Sequence, residues 1–174
     1  MGFDEKLDSE SLIKPLEKKM KMNKDTQRIY LNEVIRMAAK FDITHIEVEL
    51  DAKDGIAHVE RCHFLNQWQE IVPLDKQTPS AFKYDEPGVS LFDNTVKETG
   101  SNISFRDLVV LLVDGIASSS RENWSKDHGG CVKLSLDTVK GLYNLAVFQR
   151  YISLSCELVV DLHDLITHEV EKSQ

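Results

Sequence analysis

The sequence predicts an α+β fold. A helical core with a long C-terminal helix, about 138–172, packs with a small antiparallel sheet around a hairpin at 46–63. Three observations predict it. From Thr138 to Lys172 the polar residues Lys140, Asn144, Arg150, Ser153, Glu157, Asp161, Asp164, His168 and Glu171 recur mostly every three or four positions. They draw one wet line down an otherwise apolar segment (Leu142, Leu145, Val147, Phe148, Leu158, Leu162, Ile166), the pattern of a helix surrounded by protein. Over 46–50 the period switches to two, and Asp54-Gly55 follows, a two-residue hairpin signal. Over 105–118 the chain is apolar nearly all round, as in a buried helix.

The elements follow in order. Ser9 or Ser11 caps a first helix carrying Leu12, Ile13, Leu16 and Met20 on one face, with Pro15 in its first turns, where proline is tolerated. Asp25 caps a second, to about Phe41, with Ile29, Tyr30, Val34, Met37, Ala38 and Phe41 as its apolar stripe. Ile46, Val48 and Leu50 then alternate with Glu47, Glu49 and Asp51. Pairing about Asp54-Gly55 sets Leu50 opposite Val59 and Ala52 opposite Ala57. Glu47, Glu49, Asp51, His58, Glu60 and Cys62 then share the other face, with Glu49 opposite Glu60. Further out this register puts Arg61 and His63 on the apolar side, a conflict that a bulge or a strand end would resolve. Residues 66–103 hold Pro73, Pro79 and Pro87 and read as irregular, with one strand at Trp68–Val72 and a helical turn near Leu91. Ser104 with Asp107 resembles a capping box and opens the helix from Phe105 to about Ser118. Val132, Leu134 and Leu136 alternate with Lys133, Ser135 and Asp137 as a strand, and Asp137 or Thr138 caps the final helix. Within that last stretch Ile152, Leu154, Cys156, Leu158 and Val160 also alternate, so 150–160 alone fits a strand too.

The totals bound the function. The 174 residues fit one domain, and 41% apolar content suffices for its core. A net charge of -8 argues against broad binding to phosphate backbones, so nucleic acid is an unlikely partner; a protein with a basic surface is easier to accommodate. Three scattered cysteines, Cys62, Cys131 and Cys156, suggest free thiols in a reducing compartment rather than a disulfide framework. The acidic, polar start MGFDEKLDSE lacks an apolar signal region, and the longest apolar run, Leu108–Val113, is too short for a bilayer. The expected location is the cytoplasm, a host's if the protein is viral or phage-borne.

Five constellations invite chemistry. The carboxylate-rich hairpin face, Glu47, Glu49, Asp51, His58 and Glu60, reads either as an ordinary solvated strand face or as an acidic docking surface. Cys62-His63 with His128-x-x-Cys131 has the atoms of a zinc site, but adjacent strand residues point to opposite faces. Asp161, Asp164 and His168 would share one helix face, with His163 off it, yet no partner motif completes an active site. Lys18, Lys19, Lys21, Lys24 and Arg28 form a basic cluster without interleaved aromatics. Ser118-Ser119-Ser120-Arg121 offers hydroxyls without a nucleophile motif. No P-loop or dinucleotide fingerprint occurs.

We therefore assign no catalytic residue, metal ligand or cofactor. The sequence is read as a non-enzymatic interaction module (inhibitor, immunity-type antagonist, adaptor or chaperone) that binds a partner protein through the acidic face. A small metal-dependent hydrolase acting on nucleotides and a nucleic-acid-binding regulator using the N-terminal lysines are the alternatives.

Overall fold

Four antiparallel strands build the central sheet, and the computed structural model describes residues 22–153 and 158–160. Helix α1 spans Lys24–Lys40; β1 and β2 span His45–Lys53 and Ile56–Leu65. The short strands β3 (Pro79–Lys83), β4 (Gly88–Val89), β5 (Val96–Lys97) and β6 (Asn102–Ser104) follow. Then come α2 (Phe105–Ser120), β7 (Gly130–Asp137), β8 (Leu142–Gln149), β9 (Tyr151–Ser153) and β10 (Leu158–Val160). The central order is β2-β1-β7-β8, with β3–β6, β4–β5 and β9–β10 as separate pairs.

The helical core is thereby corrected. Over 142–149 the long C-terminal helix is replaced by β8, and 151–153 and 158–160 are strands as well. Asp137 does cap, but it caps a turn. Its Oδ1 accepts the N–H groups of Val139 at 3.0 Å and Lys140 at 2.9 Å. Gly141, at φ 67°, then reverses the chain into β8. A side chain that can satisfy two amides of a helix start can equally close a hairpin.

Local signals elsewhere produce the elements they suggest. Asp54 and Gly55 stand at φ 53° and 80°, both in the left-handed region that this hairpin turn requires. Lys53 pairs with Ile56 across them, and Leu50 with Val59. The conflict at Arg61 and His63 resolves as a bulge: Glu49 pairs with Arg61 and Leu50 with Val59, which leaves Glu60 as the extra residue. The slip of one position returns Cys62 and Phe64 to the core side, opposite Val48 and Ile46. So Glu60 does not oppose Glu49, and Cys62 leaves the polar face. At α2, Ser104 accepts the Asp107 amide at 3.1 Å and donates its hydroxyl to Asp107 Oδ2 at 3.0 Å. Asn23, not Asp25, caps α1, accepting the Thr26 amide at 2.8 Å. Ile29 lies on the wet side of α1, while Val34, Met37 and Ala38 are buried. Residues 66–103 contain four short strands rather than one, and residues 68–72 contribute only the bridge of Ile71 to Leu65. The N-terminal helix lies outside the described residues.

One hydrophobic cluster joins these parts. Ile46, Val48, Leu50, Ala52, Val132, Leu134 and Leu136 line one face of the sheet, in register across β1 and β7. Phe105, Leu108, Val109, Leu112, Val113 and Ile116 of α2 complete the cluster with Val34, Met37 and Ala38 of α1. Phe64 stacks on Phe105 at 5.2 Å between ring centres. Glu33 of α1 clamps β3 by accepting the Ala81 amide at 2.9 Å while Arg36 grips both its oxygens. The Arg36 guanidinium holds the Glu33 carboxyl below the usual range against the opposing effect of burial.

Candidate functional site

The opposite face of the sheet carries the polar members of each strand, because side chains alternate along a strand. On β1 these are Glu47, Glu49 and Asp51. Register brings His63, Arg61 and His58 of β2 beside them in turn, and Ser135, Lys133 and Cys131 of β7 on the other flank. Strand β8 adds Asn144, Ala146 and Phe148 beyond β7. The small side chains of Ser135 and Ala146 leave a depression of about 410 Å³, bordered by Glu47, Glu49, Arg61, Lys133 and Asn144.

This face is more balanced in charge than the hairpin alone suggests. Glu49 lies 3.2 Å from Lys133 Nζ and 3.9 Å from Arg61. Asp51 is gripped by Arg150, whose other amino group donates to the Ala52 carbonyl at 3.2 Å. Two carboxylates (Glu49, Asp51) thus meet three cations (Arg61, Lys133, Arg150). Such half-exposed pairs contribute about 0–1 kcal/mol each, so their main effect is on the potential of the surface. Glu47 and Glu60 have no ion-pair partner among the described residues. Glu60 is exposed in the bulge, and His58 is exposed on β2 beside Asp51. The five predicted docking residues therefore divide. Glu47, Glu49, Asp51 and His58 share the face, Glu60 sits at its edge, and only Glu49 and Asp51 are held by intramolecular cations. The three cations were not apparent from sequence because they arrive from β2, β7 and the end of β8.

The remaining constellations separate in space. Cys62 lies on the core side and Cys131 on the open side of the sheet, so they cannot share an ion. Burial pushes the Cys62 thiol up to about 12. Cys131 is raised too, by burial first and then by the Glu49 carboxylate, so neither thiol is poised as a nucleophile. Among the described residues no three His, Cys, Asp or Glu side chains converge as metal ligands. Ser118 takes the Trp124 indole N–H at 3.3 Å, while Ser119 and Ser120 donate to the Gly115 and Ile116 carbonyls at 2.9 and 3.0 Å. These hydroxyls finish a helix, and none faces a base. Lys24 and Arg28 lie on α1. Lys18, Lys19, Lys21, Asp161, His163, Asp164 and His168 lie outside the described residues.

Among the described residues no helix is long and apolar enough to cross a membrane. The chain matches no family model, no curated protein and no solved structure.

Proposed function

We propose that this chain is a non-enzymatic protein-binding module that docks its partner on the open face of the sheet. The observation that supports the reading is the depression beside Glu47, which no described residue covers and which is flanked by charges of both signs. Its floor is formed by the small side chains of Ser135 and Ala146 and its rim is charged, which suits the polar surround of a protein interface. The carboxylates open to a basic partner are Glu47 and Glu60; Glu49, Asp51 and His58 complete the surface. Glu49 and Asp51 would exchange an internal cation for an external one, which favours specificity and association rate over raw affinity.

The test is capture of partners from extract on immobilised protein, comparing the wild type with the pair Glu47→Lys and Glu60→Lys. Any partner docked here is lost on that double charge reversal and on raising salt, and is retained by the control Lys24→Glu on α1. A partner kept by the double variant at every salt concentration would refute docking through this face.

A further inference from the structure

The two edges of the central sheet are finished in opposite ways. On the β2 edge the Glu60 bulge interrupts the ladder, Glu60 and Arg61 add charge, and Val72 covers the far end by donating to the Phe64 carbonyl at 2.8 Å. These devices keep an edge from accepting another strand. Strand β8 has none of them. Its sequence, LYNLAVFQ, contains no charge, no proline and no glycine, and its pairing with β7 runs unbroken from Leu142 to Gln149. No described strand pairs with its outer edge. Leu142, Tyr143 and Phe148 are 65%, 42% and 54% exposed there.

The direction of the free amides follows from the ladder. Arg150 donates to the Gly129 carbonyl at 2.9 Å, so the even-numbered residues of β8 bond inward to β7. Tyr143, Leu145, Val147 and Gln149 consequently turn their N–H and C=O groups outward. We infer that a second copy of this chain fills this edge, β8 against β8 in antiparallel pairing about a two-fold axis at Leu145. That register makes the outward residues the hydrogen-bonded pairs, Leu145 with its own copy and Tyr143 with Val147. It sets Leu142 beside Phe148 and Asn144 beside Ala146, and each pair lies on one face. The exposed apolar side chains meet one another and no like charges oppose within the strands. The flanking cations Lys140 and Arg150 are already neutralised by Asp137 and Asp51. The product is a continuous sheet across both copies. Glu47, Glu49, Asp51, His58 and Glu60 are not at this edge, whereas Asn144 and Ala146 of the depression line the seam.

Sedimentation velocity over about 1 μM to 1 mM, with residue-resolved amide exchange, tests the pairing. The wild type shifts from monomer to dimer, and the Tyr143, Leu145 and Val147 amides gain protection as it does. Leu142→Lys with Phe148→Lys opposes two lysines twice across the axis and weakens association by at least about tenfold. Leu142→Lys with Phe148→Glu opposes unlike charges and restores it. Both positions are exposed, so the melting temperature of each monomer stays near that of the wild type; a variant that fails to melt cooperatively is replaced at the exposed pair Asn144 and Ala146, with Lys at both to oppose like charges and Lys with Glu to restore pairing. A wild type that stays monomeric throughout overturns the inference, as does a dimer indifferent to both charge variants. Amides that become protected only on adding another protein would give the edge to a different chain.

Discussion

Asp114 is a carboxylate whose environment is unfavourable to its own charge. It lies inside α2 with its Oδ1 buried and, among the described residues, without a hydrogen-bond partner. Burial pushes its carboxyl up to about 6, against a smaller downward pull from the Trp124 indole N–H. The unfolded chain releases this proton near pH 3.8, the folded one only near pH 6. Between those values the folded state binds the extra proton, so stability falls as pH rises through the window and levels off above it. The loss is of order 3 kcal/mol. Asp114→Asn should therefore abolish that slope and be more stable than the wild type at pH 7. Urea unfolding at pH 4, 5, 6 and 7 reads this directly, and a variant no more stable than the wild type at pH 7 would show the carboxylate to be satisfied. Asp107 is different: the capping box with Ser104 marks it in the sequence, and Ser90 and Ser104 bond it at 2.8 and 3.0 Å. Nothing in the 105–118 pattern marks Asp114 as the aspartate left without such partners.

At the scale of elements, the sequence was legible where one local rule governed and opaque where two did. Ser104 with Asp107, Asp54-Gly55, and the alternation of Val132, Leu134 and Leu136 each point to one element, and each forms it. The bulge announced itself as a misfit, with Arg61 and His63 on the wrong side of an ideal ladder. Strand β8 gave no such warning. Tyr143, Leu145 and Val147 face the core side while Leu142, Ala146 and Phe148 occupy the other, so apolar residues fall on both sides. Without clean alternation, a segment of this kind reads as a buried helix, and Asn144 and Arg150 happened to extend the polar line begun at Lys140. The carboxylates of the candidate site were visible in the hairpin, but their neutralising cations were not, because register across the sheet is a tertiary fact. The turn at 137–141 offers a check on this account. Asp137→Ala removes the acceptor of two amides and should cost about 0.5–2 kcal/mol, while Asp137→Asn retains most of it. Equal losses for both substitutions would mean that the ion pair with Lys140 matters more than the turn.

For the whole molecule, the position of β1 at the centre of the sheet governs how the fold can be reached. Its pairing with β2 closes a two-residue turn, but its pairing with β7 joins Ala52 to Gly130 across α2 and all the short strands. Long closures of that kind slow folding to the millisecond-to-second range. Leu136 is buried opposite Ile46 in that long-range pair. Leu136→Ala should cost about 2–5 kcal/mol and express most of it as faster unfolding. Stopped-flow chevrons that instead show slower folding with an unchanged unfolding limb would place β7 in the early nucleus.

The tip of the first hairpin carries a practical consequence. Turns such as Asp54-Gly55 are the usual places to splice in an epitope tag or a fluorescent reporter. Here the tip is stapled down: Asp54 and Gly55 donate to the Asp127 and Ser125 carbonyls at 3.2 and 2.7 Å. Gly129, at φ 77°, lies so close to the Ala52 carbonyl that a β-carbon would collide with it. A cassette inserted between Asp54 and Gly55 would lift the 121–129 loop from the sheet and loosen the Gly129–Arg150 bond with it. The exposed bend at Asp93–Asn94 is bonded locally instead, Asn94 donating to the Ser90 carbonyl at 2.9 Å, so a label there would leave the central sheet in place.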